Sequence, residues 1–290
     1  MTLRIHFINV GEGDCTILEL PDDKVMIVDI RNGRRKHDEA NVEFENPIRY
    51  LGKLSRSDIF RYVQSHPDMD HMDGLSDLAR SYTITNFWDT ENTKPKPEEF
   101  GYGFREEDWD AYQTLRKNAK FRLRDTNPIG LAHGGSFPYN VYVLNPSKFL
   151  LDEGNKIEDW NLLSYIILIE YEGLKLLLGG DASDAAWESV YNWTQKNAEA
   201  EKLLSGVTIF KVSHHGKNSS YCGAEILNLT NPQKIVISKG STDDGSSAYG
   251  KYYNWSGGAK NMLLTSKGTI IADYYDEKNR KYSIDYVSKR

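Results

Sequence analysis

The chain has 290 residues, 39% hydrophobic, 27% charged and 12% aromatic, enough apolar mass for one large α/β domain over 1–290 and too much for wholesale disorder. Its net charge of −6 excludes a global basic field that would draw it to nucleic acid or anionic membrane, so a polyanionic substrate needs a local site. Two cysteines, Cys15 and Cys222, cannot build a disulfide framework and have no metal-ligand spacing, which favours a reducing compartment.

The opening MTLRIHFINVGEGD lacks a basic start followed by a long apolar run, so no signal peptide is expected and a cytoplasmic location is. Short β-like runs then dominate, from RIHFINV, CTILEL and KVMIVDI through VYVLN, SYIILIEY, LKLLLGG, VTIFKVS and KIVISKG to GTIIADYY and YSIDYV. The longest of them, such as YIILIEY, fall well short of the roughly 20 apolar residues of a membrane helix, so no membrane segment is expected. Helices are expected near 44–56, 72–81, 105–119, 183–204 and 222–230. The strand and helix order is not the strict alternation of a doubly wound sheet; two sheets face to face with helices outside fit better. Two polar segments interrupt this pattern. One, near 89–140, contains TKPKP, aromatics (Phe100, Tyr102, Phe104, Trp109, Tyr112) and cations (Arg116, Lys117, Lys120, Arg122, Arg124). The other, 239–261, is almost free of aliphatic residues. Loops this long are either functional or surface filler.

Three short motifs carry chemistry. SHPDMDH at 65–71 follows the strand-like RYVQ and packs His66, Asp68, Asp70 and His71 into six residues. Side chains two apart on an extended segment face the same way, so His66 and Asp68 suit one cation, with Asp70 and His71 turned toward a second. The plainer reading is a polar loop in which Asp73 caps the following helix, but that leaves the two imidazoles and two carboxylates unexplained. LLLGGD at 176–181 ends an apolar run in two glycines that let backbone crowd close to whatever Asp181 binds. Alone it reads as a turn. KVSHHG at 211–216 places His214 and His215 at a strand end, where neighbours point in opposite directions: one for metal, the other for substrate or an outer role. His6, His37 and His133 have no such company.

With these motifs in this order, the chain resembles the metallo-β-lactamase superfamily, and within it the metallohydrolase domain of ComEC-type competence proteins and their free-standing relatives. INVGEGD at 8–14 is similar to that group's opening DVGQGD, and VMIVDI at 25–30 to the strand ending in a structural Asp, here Asp29. SHPDMDHMDG at 65–74 matches the His-x-Asp-x-Asp-His metal motif. NLLS at 161–164 resembles the stretch before a bridging Asp, KVSHHG the KVGHHG segment, and TSKGTI at 265–270 the closing strand. The resemblance implies a four-layer αββα sandwich with an inserted segment near 89–140 and a site at one edge of the two sheets. It also implies that His71 completes the second metal position. Two departures stand out: Asn161 where zinc β-lactamases carry a further His, and Lys251 where this branch has a His after its Tyr-Gly, here Tyr249 and Gly250.

The expected function is hydrolysis of a phosphodiester by a metal-activated hydroxide, with one or two divalent ions, zinc or manganese. His66 and Asp68 would hold the first ion, Asp70 and one of His214 and His215 the second, and Asp181 would bridge. Asp68, if not fully a ligand, could steer the water, and the second His of the pair or Lys251 could serve the leaving group. Asn161 and Lys251 are the candidate substrate contacts. Single-stranded DNA is the first substrate class, provided that the 89–140 segment turns its aromatics and cations toward the cleft. The alternatives are a small phosphodiester, of cyclic nucleotide or phosphorylcholine type, and a non-catalytic regulatory module with a decayed metal site.

Overall fold

The computed structural model describes residues 2–32, 44–54, 58–126, 129–132, 137–239, 247–276 and 281–287. His37, His133 and 240–246 of the second polar segment lie outside them, as does the side chain of Tyr102. The N-terminal half contributes β1 (Leu3–Phe7), β2 (Thr16–Glu19), β3 (Val25–Val28), β4 (Ile30–Arg31), β5 (Asp58–Val63), β6 (Met72–Asp73), β7 (Thr83–Asp89) and β8 (Lys120–Phe121). The second half contributes β9 (Asn140–Asn145), β10 (Ile166–Tyr171), β11 (Leu174–Leu178), β12 (Ile209–Lys211), β13 (Lys234–Ile237) and β14 (Met262–Leu264). Two last strands, β15 (Ile270–Asp276) and β16 (Lys281–Tyr286), return to the first sheet. Its order is β16-β15-β1-β2-β3-β5-β7-β8, and that of the second sheet is β14-β13-β12-β11-β10-β9.

Three apolar cores define four layers. Between the sheets, Leu3, Ile5, Phe7, Met26 and Val28 meet Val141, Val143, Ile167, Ile169 and Leu176. On the far side of the first sheet, Ile17, Val25 and Ile27 pack against α1 (Pro47–Lys53), α2 (Leu75–Ser81) and α3 (Glu106–Arg116). On the far side of the second, Ile166, Leu168 and Phe210 pack against α4 (Lys148–Ile157), α5 (Asp184–Thr194), α6 (Ala198–Leu204), α7 (Gly223–Thr230) and α8 (Tyr249–Ser256). Alternate residues of one strand thus face different cores, which is why strands such as SYIILIEY read as unbroken apolar runs. Each fully buried Leu or Ile contributes about 1.5–3 kcal/mol. Among the described residues no helix is long and apolar enough to cross a membrane.

The structure departs from the sequence reading at strands that were not expected, among them β7, β8 and β14, and at four helices or helix ends. The helix expected over 183–204 is two, because Asn197 restarts it, its side chain accepting from the amides of Glu199 and Ala200. The α4 helix was not expected; Ser147 caps it, and Gly154 inside it lets the helix lie against Leu163. The α8 helix falls within the supposed loop 239–261, since its one buried side chain is the aromatic Tyr252. Finally, α2 is entered through Gly74 at φ +102°, and Asp73 lies in β6 and does not cap it.

Candidate metal centre

Both halves of the cluster sit at the carboxyl ends of parallel strands, one half in each sheet. In the first sheet, β5 runs parallel to β3, and 64–71 loops from β5 to β6, whose pairing of Ile30 with Met72 and Arg31 with Asp73 pins the far end. In the second, β11 and β12 are parallel and deliver Asp181 and the His214–His215 pair. Backbone bonds lock the junction: Tyr165 N donates to Ser65 O at 2.9 Å across the sheets, and His214 N donates to Gly180 O at 2.9 Å. The two glycines before Asp181 serve this protein-to-protein crowding. A Cβ on Gly179 would strike Ser213, and one on Gly180, at φ +51°, would strike Ser164 and the Tyr165 carbonyl.

His66, His71 and Asp181 form one group of convergent ligand atoms, and Asp70, His71 and His215 a second. Asp181, almost wholly buried, is the hub, with its oxygens 3.9 Å from His66 Nε2, 3.2 Å from His71 Nε2, 3.7 Å from His214 Nε2 and 3.7 Å from His215 Nε2. Asp68 Oδ2 stands 3.5 Å from His66 Nε2 at one end, and Asp70 Oδ2 stands 3.5 Å from His215 Nε2 at the other. His66 and Asp68 therefore share a side, as their spacing predicts, and the single turn Met69–His71 swings Asp70 and His71 around.

The outer hydrogen bonds orient each ring. His71 Nδ1 donates to Asp29 Oδ2 at 2.8 Å, and His215 Nδ1 donates to the Ser238 carbonyl at 3.1 Å. His66 Nδ1 faces Ser65 Oγ at 3.0 Å, and that hydroxyl donates to Asp29 Oδ2 at 2.6 Å, so the imidazole is the donor. All three rings thus turn a lone pair at Nε2 inward. The Nε2 atoms of His66, His71 and His215 and Oδ1 of Asp181 are buried without a hydrogen bond. Three imidazole nitrogens and a carboxylate oxygen, buried without hydrogen bonds yet mutually close, could hold a divalent cation, and the residues present fit one. Asp29 is a partner of the ligands, so Asp29→Asn is expected to weaken metal affinity about 10–100-fold in a chelator competition titration while the donor set stays intact.

The carboxylates and imidazoles of the cluster shift one another's titration in opposite directions. Burial by itself pushes the Asp70 carboxyl up, but the His71 and His215 imidazoles outweigh it and hold it well below the carboxylate range. Burial opposes a charge on His71, yet Asp181, Asp29 and Asp70 around it raise its pKa. His214 differs: burial, aided by the Lys217 ammonium and opposed by Asp181, brings it down to about 4. Its Nε2 accepts from Lys217 Nζ at 3.1 Å and its Nδ1 meets Ser220 Oγ at 3.0 Å.

One expectation for the His pair needs correction. The neighbours do not point in opposite directions, because both take left-handed backbone, φ 50° for His214 and φ 54° for His215, and both reach Asp181. Only His215 has a free inward nitrogen, since Lys217 occupies that of His214.

Lys251 lies on the exposed side of α8 with Nζ 4.7 Å from the centre of the Tyr221 ring, and among the described residues no carboxylate is within ion-pair distance of it. Asn161 sits beside the hub: its carbonyl accepts from the amides of Ser164 and Ser183, and its own Oδ1 is buried without a hydrogen bond. Of the aromatics in the 89–140 segment, Trp109, Tyr112 and the partly buried Phe100 belong to the core beneath the first sheet, while the Phe104 ring centre lies 5.9 Å from the Arg31 guanidinium carbon. Trp109 and Tyr112 are the buried face of α3, Arg116 Nε pairs with Asp89 at 2.7 Å, and Arg122 covers Trp88. Lys117 and Lys120 are exposed.

Sequence reasoning missed four groups. Asp14 offers an oxygen within 4.8 Å of donor atoms of Asp181 and His215, and it is paired with the buried Lys211. Both residues stood inside quoted motifs, but nothing in their spacing marked them as neighbours. Lys94, which pairs with Asp68, and Lys217 were also missed.

No family model and no curated protein matches the chain. Among solved structures it is similar to CmlA, a diiron β-hydroxylase from Streptomyces venezuelae, at 12% identity and a TM-score of 0.48 over 81% of this chain and 44% of that one. The chain thus spans less than half the length of the CmlA chains. A metallo hydrolase from Ignicoccus hospitalis aligns at 12% identity and a TM-score of 0.48 over 91% of this chain and 94% of that one. YhfI from Bacillus subtilis, a metallo-β-lactamase fold protein, aligns at 9% identity and 0.47 over 90% and 95%. Such distant likenesses carry nothing about chemistry; the fold class rests on the sheet order, the three cores and the strand-end cluster. It is a four-layer αββα sandwich.

Proposed function

We propose that the chain is a metal-dependent hydrolase of phosphodiester bonds, acting on a small substrate in preference to single-stranded DNA. The observation that carries this reading is the convergence of three unpartnered imidazole nitrogens on a buried carboxylate. His66, His71 and Asp181, with Asp68 beside them, would hold one divalent cation; Asp70, His71 and His215, with Asp181 in reach, a second. Such cations polarise a phosphoryl oxygen and acidify a water to a pKa near 7. A donor set this rich in carboxylate suits manganese as well as zinc. The three carboxylates Asp68, Asp70 and Asp181 are offset at the margins by Lys94 and Lys217, which favours an anionic substrate. His214, held neutral between Ser220 and Lys217, is assigned to the substrate side of Asp181.

Small substrates are favoured over single strands because two of the expected stacking residues, Trp109 and Tyr112, are core residues. A complete set of ligand atoms speaks against a decayed regulatory site. The deciding experiment supplies Mn²⁺ or Zn²⁺ and assays bis(p-nitrophenyl) phosphate, a cyclic nucleotide, a phosphorylcholine ester and single-stranded DNA. Metal-dependent cleavage of one of the small diesters, faster than that of DNA, is expected. Metal-loaded protein that cleaves none of them overturns the reading.

A further inference from the structure

The connection after β7 contains a buried polar network that seats one lysine at the ligand cluster. Asp89 is fully buried; its Oδ2 accepts from the Tyr112 hydroxyl at 2.8 Å and faces Arg116 Nε at 2.7 Å. Asn92 Nδ2 donates to Tyr112 Oη at 2.9 Å and to the Thr90 carbonyl at 3.1 Å, and Arg116 donates to the Asn92 carbonyl. On the other side, Asn155 of α4 accepts from Thr93 N at 2.8 Å and donates to the Glu91 carbonyl at 2.9 Å. Residues 89–93 are thereby strapped to α3 in one outer layer and to α4 in the other. Lys94 comes next, its amide donating to Asn92 Oδ1 at 3.2 Å. Its ammonium reaches Asp68, one-fifth of the side chain stays exposed, and Nζ lies 6.0 Å from the centre of the Trp160 ring.

We propose that Lys94 is the anion-anchoring residue of this site, meeting an oxyanion of the substrate at the Asp68 end of the cluster and resting on Asp68 when no anion is present. The inference rests on the metallohydrolase reading above. A lysine ammonium is a compact point charge on a flexible stem with three donors, suited to a phosphate oxygen that moves during reaction. Here the stem is flexible but its root is not, because the strap fixes the backbone from both sides. Asp68 stands 3.5 Å from His66, so charge brought to Asp68 by a cation weakens the hold of Asp68 on Lys94 and leaves the ammonium for the incoming anion. The strap accounts for the 89–94 part of the polar insertion by positioning the backbone of Lys94.

The test uses the full chain loaded with Mn²⁺ and inorganic phosphate as the probe. Lys94→Met is expected to raise the phosphate Kd at least ten-fold with unchanged metal stoichiometry, Lys94→Arg to stay within about three-fold, and the KM for bis(p-nitrophenyl) phosphate to rise more than kcat falls. A second measurement needs no variant: reductive methylation of Lys94 in the wild type, followed by peptide mass spectrometry, should be accelerated by metal alone and slowed again by added phosphate. Wild type that binds metal and phosphate while Lys94→Met binds phosphate equally well overturns this inference alone, as does a methylation rate indifferent to phosphate. Wild type that takes up no metal overturns both this inference and the metallohydrolase reading.

Discussion

Asp181→Asn is expected to abolish the metal-induced stabilisation of the protein and to lower hydrolysis by more than about 100-fold, because loss of a mere partner of a metal ligand already costs 10–100-fold. The reason is position. Among the described residues Asp181 is the one carboxylate within 4 Å of four imidazole nitrogens, and it belongs to donor groups with both His66 and His215. Its backbone is held independently of the side chain, through Asp181 N donating to Ser164 Oγ at 2.9 Å, so the amide variant keeps the local fold. In excess chelator, the urea midpoints of variant and wild type should correspond to stabilities within about 2 kcal/mol of each other. With metal at 100 times its Kd, wild type alone should gain about 2.7 kcal/mol. A variant that still gains that increment would show that Asp181 is not a ligand.

Lys211→Met should destabilise the protein by about 3–5 kcal/mol, since it strands the buried Asp14 carboxylate without its ammonium. Both side chains are only 3% exposed, and the pair crosses from Asp14, two residues ahead of β2 in one sheet, to the last residue of β12 in the other. It therefore ties together the two sheets that each carry half of the ligand cluster. Asp14→Asn combined with Lys211→Met removes both charges and should recover most of the loss, and the double-mutant cycle measures the coupling directly. The freed Asp14 carboxylate also lies within reach of Asp181 and His215. The deficit of Lys211→Met should accordingly be larger in chelator than with metal bound. Equal deficits in the two conditions would separate the ion pair from the metal site.

The ligand motifs were legible because their information is local. Spacing within SHPDMDH puts His66 beside Asp68, whereas the Gly-Gly-Asp that ends an apolar strand reads alone as a turn and gains meaning only beside the other motifs. The layered class was legible for the same reason, since uninterrupted apolar runs such as IILIEY are stable only between two covers. Even the misread elements follow one rule. The α8 helix hides behind an aromatic anchor and α4 contains a glycine, so neither offers the aliphatic period by which helices are recognised.

Composition and local pattern thus pointed by themselves to a two-sheet α/β fold and to His66 and Asp68 sharing one side of the 65–71 motif; that His71, Asp181 and one or both of His214 and His215 join them and Asp70 at strand ends is an expectation carried by the order of the motifs and the family resemblance. Only the tertiary structure decided which imidazole keeps a free nitrogen. That depends on Ser238 for His215 and on Lys217 for His214, contacts made by backbone in the left-handed region and by a residue that no spacing rule ties to a histidine. It also decided that Trp109 and Tyr112 are core while Lys94 reaches the site, because the choice between inward and outward on an amphipathic segment is made by what lies beneath it. The Asp14–Lys211 pair, 197 residues apart in sequence, is the extreme case. Two charges of opposite sign are common in any chain, and only the packing of one sheet on another removes the water that would otherwise keep them apart.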